Sequence, residues 1–181
     1  MAKTNEDWEE VNASTWSGFE KAYKDGKLRA IGLCNFEKKH LDSLLARCEI
    51  APMLNQIEYH PGYIRQDTLD YSKANNMLVE AFYPLGSGKL LARDDVKEMA
   101  LRYGKTPAQV LLRFSIQSGC IPLVKSVHKE RIIENTKAFD FELAEEDMNV
   151  LRNVEHLTAF SGWVAEEAPA DAIVEAQKNN Q

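Results

Sequence analysis

Apolar residues in this chain fall into two alternating kinds of run. Short, nearly continuous apolar stretches recur at "LRAIGLC" (28–34), "MLNQIE" (53–58), "LVEAF" (78–82) and "CIPLV" (120–124). Each has the length of a buried strand. Between them apolar positions return every three to four residues, the period of an amphipathic helix. The chain opens with such a helix in "DWEEVNASTWSGFEKAYKDGK": Trp16, Phe19 and Tyr23 repeat on one side, and Gly26 is placed to end it with a left-handed cap. Further helices are predicted over Lys38–Arg47, with Leu41, Leu44 and Leu45 on one side, over "DTLDYSKANN", and over "DDVKEMALRYG", stopping at Gly104. The next has the clearest start: Thr106 as N-cap, Pro107 at the first helical position and Gln109 completing a capping box, with Gly119 ending it. A charged helix follows the fourth strand, and another covers roughly 144–154 before an irregular tail whose last residues fray.

Strands alternating with helices imply right-handed crossovers and a parallel sheet. The unit repeats regularly and lacks the glycine loop of a doubly wound nucleotide-binding sheet, which favours barrel units. A complete eight-fold barrel needs about 250 residues and eight strands. Four strands are visible here. The expected fold is therefore α/β, half of a TIM (β/α)8 barrel with four parallel strands and flanking helices, as a single domain over residues 1–181.

Composition narrows the function classes. The 181 residues carry a net charge of −6 without basic blocks, which argues against nucleic acid as a partner. No apolar run approaches the roughly 18 residues of a membrane span, and "MAKTNEDWEE" lacks the apolar region of a signal peptide, so a cytoplasmic location is expected. Cys34, Cys48 and Cys120, odd in number and irregularly spaced, read as reduced thiols. The candidate chemistry lies in "IPLVKSVHKERIIEN", residues 121–135. Lys125, Ser126 and Arg131 stand where a strand ends and a helix begins, a place with free backbone N–H groups and partial positive charge. Two cations there suggest an anionic ligand, most simply a phosphate; solvated helix-start residues are the plainer reading of this stretch alone.

"GKLRAIGLCNF", "LNQIEYHP", "LVEAFYPLGSG", "TPAQVLLRF" and "IPLVKSVHKERIIEN" occur in the order and spacing of the aldo-keto reductases. The chain resembles the second half of that family, from about Trp16 to Trp163. The resemblance implies an eight-fold α/β barrel that reduces aldehydes and ketones with NADPH. It also implies that Asn35 and Gln56 bond the nicotinamide carboxamide, and that Phe82 stacks on the nicotinamide ring. Leu85, Ser87 and the backbone around Gly86 and Gly88 line the pyrophosphate. Lys125, Ser126 and Arg131, with Val127 beside them, hold the adenosine 2′-phosphate, while Glu134 and Asn135 hold the adenine edge.

Three positions depart from the family pattern. Cys34 replaces the Ser usual before Asn35, Tyr83 occupies a position usually small, and Val124 stands where Pro is common. Cys34 itself reads as a buried, inert thiol, since no positive charge flanks it. His60 and His128 have no visible His or carboxylate partner at ligand spacing, so they read as a loop residue and a helix-surface residue, not as metal ligands.

The family's catalytic Asp, Tyr, Lys and His belong to its first four strands and match nothing here, so no catalytic residue is assigned. Two readings stay open. In one the chain is a truncated aldo-keto reductase, keeping the NADPH-binding half and inactive alone. In the other it is a carbonyl reductase completed by a partner or oligomer, or a half-barrel assembly module without ligand function. Open strand edges and apolar faces of half a barrel predict a homodimer, with the terminal helix or tail as an alternative cover.

Overall fold

The computed structural model describes residues 8–157 and 159–161; the tail from 164 onward lies outside them. In chain order the elements are α1 (Trp8–Lys24), β1 (Leu33–Cys34), α2 (Lys38–Leu45), β2 (Leu54–Glu58), α3 (Gln66–Ala74) and β3 (Leu78–Phe82). Then follow α4 (Asp94–Tyr103), α5 (Pro107–Gln117), β4 (Ile121–Leu123), α6 (Lys129–Thr136) and α7 (Glu145–Arg152). Two 3-10 segments, Gly86–Ala92 and Lys137–Phe139, were not anticipated. The strands form one sheet in the order β1-β2-β3-β4. Its pairs run parallel, Leu33 opposite Asn55 in one and Ala81 opposite Pro122 in another. The α/β fold with four parallel strands and flanking helices is thus the one expected.

The first strand is much shorter than the 28–34 anticipated. Extending its register backward sets Ala30 against Pro52, which has no N–H to continue the ladder. One bond survives beyond the strand, from Met53 N–H to the Ile31 carbonyl at 2.9 Å. Gly32 is required here: a Cβ would come within 2.5 Å of Leu54 Cγ and 2.9 Å of its carbonyl oxygen.

The described chain divides into two compact units, one reaching to Ile57 with Gln66–Val79, the other made of Glu58–Arg65 and the residues from Glu80 onward. In the first, Trp16, Ile31, Phe36, Leu41, Leu44 and Met77 form the core, with Tyr23, Leu33 and Leu45 packed against it. Each fully buried side chain of this size stabilises by about 1.5–3 kcal/mol. The Trp16 indole N–H donates to the Ile50 carbonyl at 2.9 Å. The buried Glu20 carboxylate accepts the N–H groups of Glu49 and Ile50 at 2.7 and 2.8 Å, fastening α1 to the loop before β2. Gly26 does take the left-handed conformation (φ 71°) predicted for the helix end.

The second unit is built around α5, buried from Gln109 to Ser115. Its N-cap is the one read from sequence: Thr106 Oγ1 accepts from Gln109 N–H, and the Gln109 side chain accepts from Thr106 N–H at 2.9 Å. Phe114 stacks on Tyr59 with ring centroids 6.0 Å apart. Gly104 closes α4 in the left-handed region (φ 61°). Along β3, Val79 and Ala81 are buried while Leu78, Glu80 and Phe82 are not, so one face of the strand is packed and the other is left open.

Candidate functional site

In the first unit, Asn35 directly follows β1 with φ 59°, and its N–H donates to the Gln56 carbonyl at 2.8 Å. The Asn35 Oδ1 atom is buried and has no hydrogen-bond partner. Gln56 lies in β2 on the half-exposed side, while Asn55 and Ile57 point into the packed side. The turn carrying Asn35 is held by a residue that sequence reasoning passed over. Asn55 is fully buried; its amide Nδ2 donates to the Phe36 carbonyl at 2.7 Å, and its Oδ1 accepts from Phe36 N–H at 3.4 Å. A polar residue alternating with Ile57 on a packed face was the available signal.

Cys34 is exposed, correcting the buried thiol expected. Leu33 takes the packed side of β1, so its successor is turned to the other face. Cys48 is half-buried, and burial pushes its thiol up, with the Glu20 charge adding to the effect. No disulfide links the three cysteines.

In the second unit, the end of β3 and the residues after β4 share a cleft of about 450 Å³. Phe82, Leu85, Ser87, Lys125 and Arg131 line it, as do Tyr83, Gly88 and Leu91. Ser87 (φ 54°) and Gly88 (φ 86°) are both left-handed, which kinks the 3-10 segment and turns successive amides the same way. Tyr83 is also left-handed (φ 53°), and its ring meets that of Phe82 edge-on at 5.6 Å. A second cleft, of about 340 Å³, is lined by Lys125, Ser126, Arg131, Glu134 and Asn135, with Thr106 and Pro107 opposite in sequence. Leu85, Leu91, Lys125 and Arg131 belong to both. Val127 lines neither and is 80% exposed.

The chemistry of these clefts is cationic at one point and hydrogen-bonding at another. Lys125 and Arg131 are exposed, and α6 begins between them, so free amides and two positive charges face the same region. Ser126 Oγ accepts from His128 N–H at 3.2 Å, capping the approach to α6. His128 is the N-cap residue of α6 and exposed, as expected for a helix-surface histidine. Glu134 is already oriented: Thr106 Oγ1 donates to its Oε1 at 2.6 Å and Gln109 Nε2 to its carbonyl at 2.9 Å. The N-cap of α5 therefore also fixes a cleft residue, a link no sequence pattern announced.

His60 differs from its reading as a loop residue without a carboxylate partner. It is fully buried, with Nε2 3.2 Å from Glu58 Oε1 and Nδ1 2.9 Å from the Pro61 carbonyl. Extended backbone puts residues two apart on one side, which brings the pair together. Among the described residues no group of three or more His, Cys, Asp or Glu could hold a metal ion.

The pattern of the Aldo/keto reductase family matches residues 5–156. Glyoxal reductase of Bacillus subtilis is 46% identical over 135 residues, which are 75% of this chain and 49% of that protein. Among solved structures, the aldose reductase from Schistosoma japonicum superposes with a TM-score of 0.78 at 36% identity, covering 92% of this chain and 55% of that one. An aldo-keto reductase crystallised with NADPH superposes with a TM-score of 0.74 at 34% identity, over 78% of this chain and 47% of its own. The chain spans about half the length of the curated relatives it matches.

Proposed function

From the premise that this chain belongs to the aldo/keto reductase family, we propose that its second unit binds the adenosine and diphosphate parts of NADPH, with Lys125, Ser126 and Arg131 taking the 2′-phosphate. The observation that carries this reading is the sharing of Lys125 and Arg131 by two adjoining clefts. One cleft has the left-handed Ser87–Gly88 backbone suited to a diphosphate; the other has Glu134 and Asn135 suited to an adenine edge. Arg131 supplies a planar fork that can bond a phosphate twice. Asn35 and Gln56 are the groups proposed for the nicotinamide carboxamide, and the orphaned Asn35 Oδ1 is an acceptor such an amide could meet.

NADPH, when bound, supplies the hydride; the residues named here bind and orient it. The family's proton-donating Tyr and its Lys match no position of this sequence, so these 181 residues are proposed to bind the cofactor while reducing carbonyls at most in trace. Titration tests the binding. NADPH should bind more tightly than NADH, and Arg131→Ala should remove most of that preference, about 1.5–3 kcal/mol for a charge-assisted contact. Equal affinity for both cofactors, or none for either, refutes the pocket.

A second reading, a reductase completed by further strands from a partner, is favoured by the exposed Ile121 and Leu123 on β4, which ends the sheet order. Steady NADPH consumption with a small aldehyde such as a glyoxal, in a preparation free of host enzymes, would favour it over the first.

A further inference from the structure

The Glu58 carboxylate is fully buried at the end of β2, yet its hydrogen bonds go to residues over a hundred positions later. Phe160 N–H donates to Oε1 at 2.6 Å; Ser161 N–H and Ser161 Oγ donate to Oε2 at 3.1 and 2.5 Å. His60 Nε2 stands 3.2 Å from Oε1. A buried carboxylate is expensive unless its lone pairs are filled, and here both oxygens are filled by one short stretch of backbone. A second tether lies close by, where Leu157 N–H donates to the Gly62 carbonyl at 2.6 Å.

The effect is to seat the Phe160 ring. It lies 5.0 Å from the His60 ring, and the Lys89 ammonium lies 5.0 Å from its centroid. Gly86 meets it so closely that a Cβ there would come within 2.9 Å of Phe160 Cε2. Phe160 therefore abuts both ends of the Gly86–Lys89 turn, whose middle residues Ser87 and Gly88 line the first cleft. Ser87, Gly88 and Lys89 of that turn are exposed and Ser87 is left-handed, a conformation disfavoured by roughly 1–2 kcal/mol, so the turn needs support from outside itself.

We propose that Glu58 is a positioning residue for the diphosphate subsite: by seating Phe160 it holds the Gly86–Lys89 turn in its binding conformation. This rests on the nucleotide reading above. The two are separable by experiment. NADPH and 2′-AMP, which lacks the diphosphate, would be titrated into the full chain and into Glu58→Gln and Phe160→Ala. Amide hydrogen exchange would be followed at residues 86–90 in each.

Both variants should weaken NADPH by about tenfold and leave 2′-AMP within about twofold. Exchange at 86–90 should accelerate while α5 stays protected. Loss of both ligands together, or unchanged NADPH affinity in a folded variant, overturns the proposal. If the unaltered chain binds neither ligand, the nucleotide reading fails; exchange at 86–90 then decides the coupling, and equal rates in all three proteins overturn it. Phe160→Ala leaves the Glu58 carboxylate in place, so it carries the test if Glu58→Gln does not fold.

Discussion

At Asn35 two requirements meet in one residue: a left-handed backbone (φ 59°) and a side-chain oxygen held buried without a partner. They can be separated. Asn35→Ala should lower stability by about 1 kcal/mol, because alanine tolerates this left-handed conformation less well than asparagine does, whereas Asn35→Gly should leave stability nearly unchanged. Urea unfolding of the two variants checks this, and equal losses would show that the side chain, not the backbone, is what matters. That Asn35 stands at the end of a strand was legible, because the apolar run before it stops there; its left-handed backbone was not anticipated. Asn55, which fixes that turn, was not, because an amide inside a strand gives no sign of which backbone groups it will reach. Cys34 and His60 were misread for a related reason. Whether a strand residue is buried depends on which face its neighbours occupy, and that face is set by packing of Leu33 and Glu58 beyond the local pattern.

Helix boundaries were the most legible elements, since their signals are local. Thr106, Pro107 and Gln109 announce the start of α5 by the hydrogen bonds they then make. The length of β1 was not legible, because Pro52 on the neighbouring strand decides it. The 3-10 segment was half visible: Gly86 and Gly88 advertise an unusual backbone, but Ser87 between them hides that three successive residues are left-handed. The start of α4 offers a test by acid. The Arg93 guanidinium, bonded to Asp95 at 2.7 and 3.0 Å, holds that carboxyl below the ordinary carboxylate range, and Val96 N–H adds to the effect. Because the folded value is the lower one, the pair's contribution is complete above the ordinary carboxylate range and disappears as pH falls through the depressed value. Asp95→Asn should therefore lower stability at neutral pH by about 0.5–1 kcal/mol, a figure kept small because the pair is partly solvated. It should also flatten the acid limb of a stability-against-pH curve. An unchanged limb would assign acid sensitivity to other carboxylates.

For the molecule as a whole, the sheet order ends on β4, where Ile121 and Leu123 are 45% and 38% exposed. Beside them a largely apolar cleft of about 440 Å³ is lined by Leu112, Ile116, Pro122, Val124, Ile132 and Phe139. Phe139 is 70% exposed. An unpaired edge next to an apolar surface favours association, and a second copy is the commonest partner. Sedimentation at micromolar concentration should show a dimer, and Leu123→Lys should shift it toward monomer by placing a charge on that edge. A monomer in both cases would end the idea. Strand count and parallel order were legible from the chain, because periodicity is written locally; contacts spanning the sequence were not.

The bond from Phe160 to Glu58 crosses 102 positions, and this has a consequence for biosynthesis. A ribosome adding about 5–20 residues per second takes roughly 5–20 seconds to deliver Phe160 after Glu58 has emerged. Throughout that interval the carboxylate has no strap to meet, so the end of β2 must stay hydrated and the packing around His60 must wait. The second unit of the nascent chain thus completes the packing around Glu58 and His60 only once Phe160 has been added.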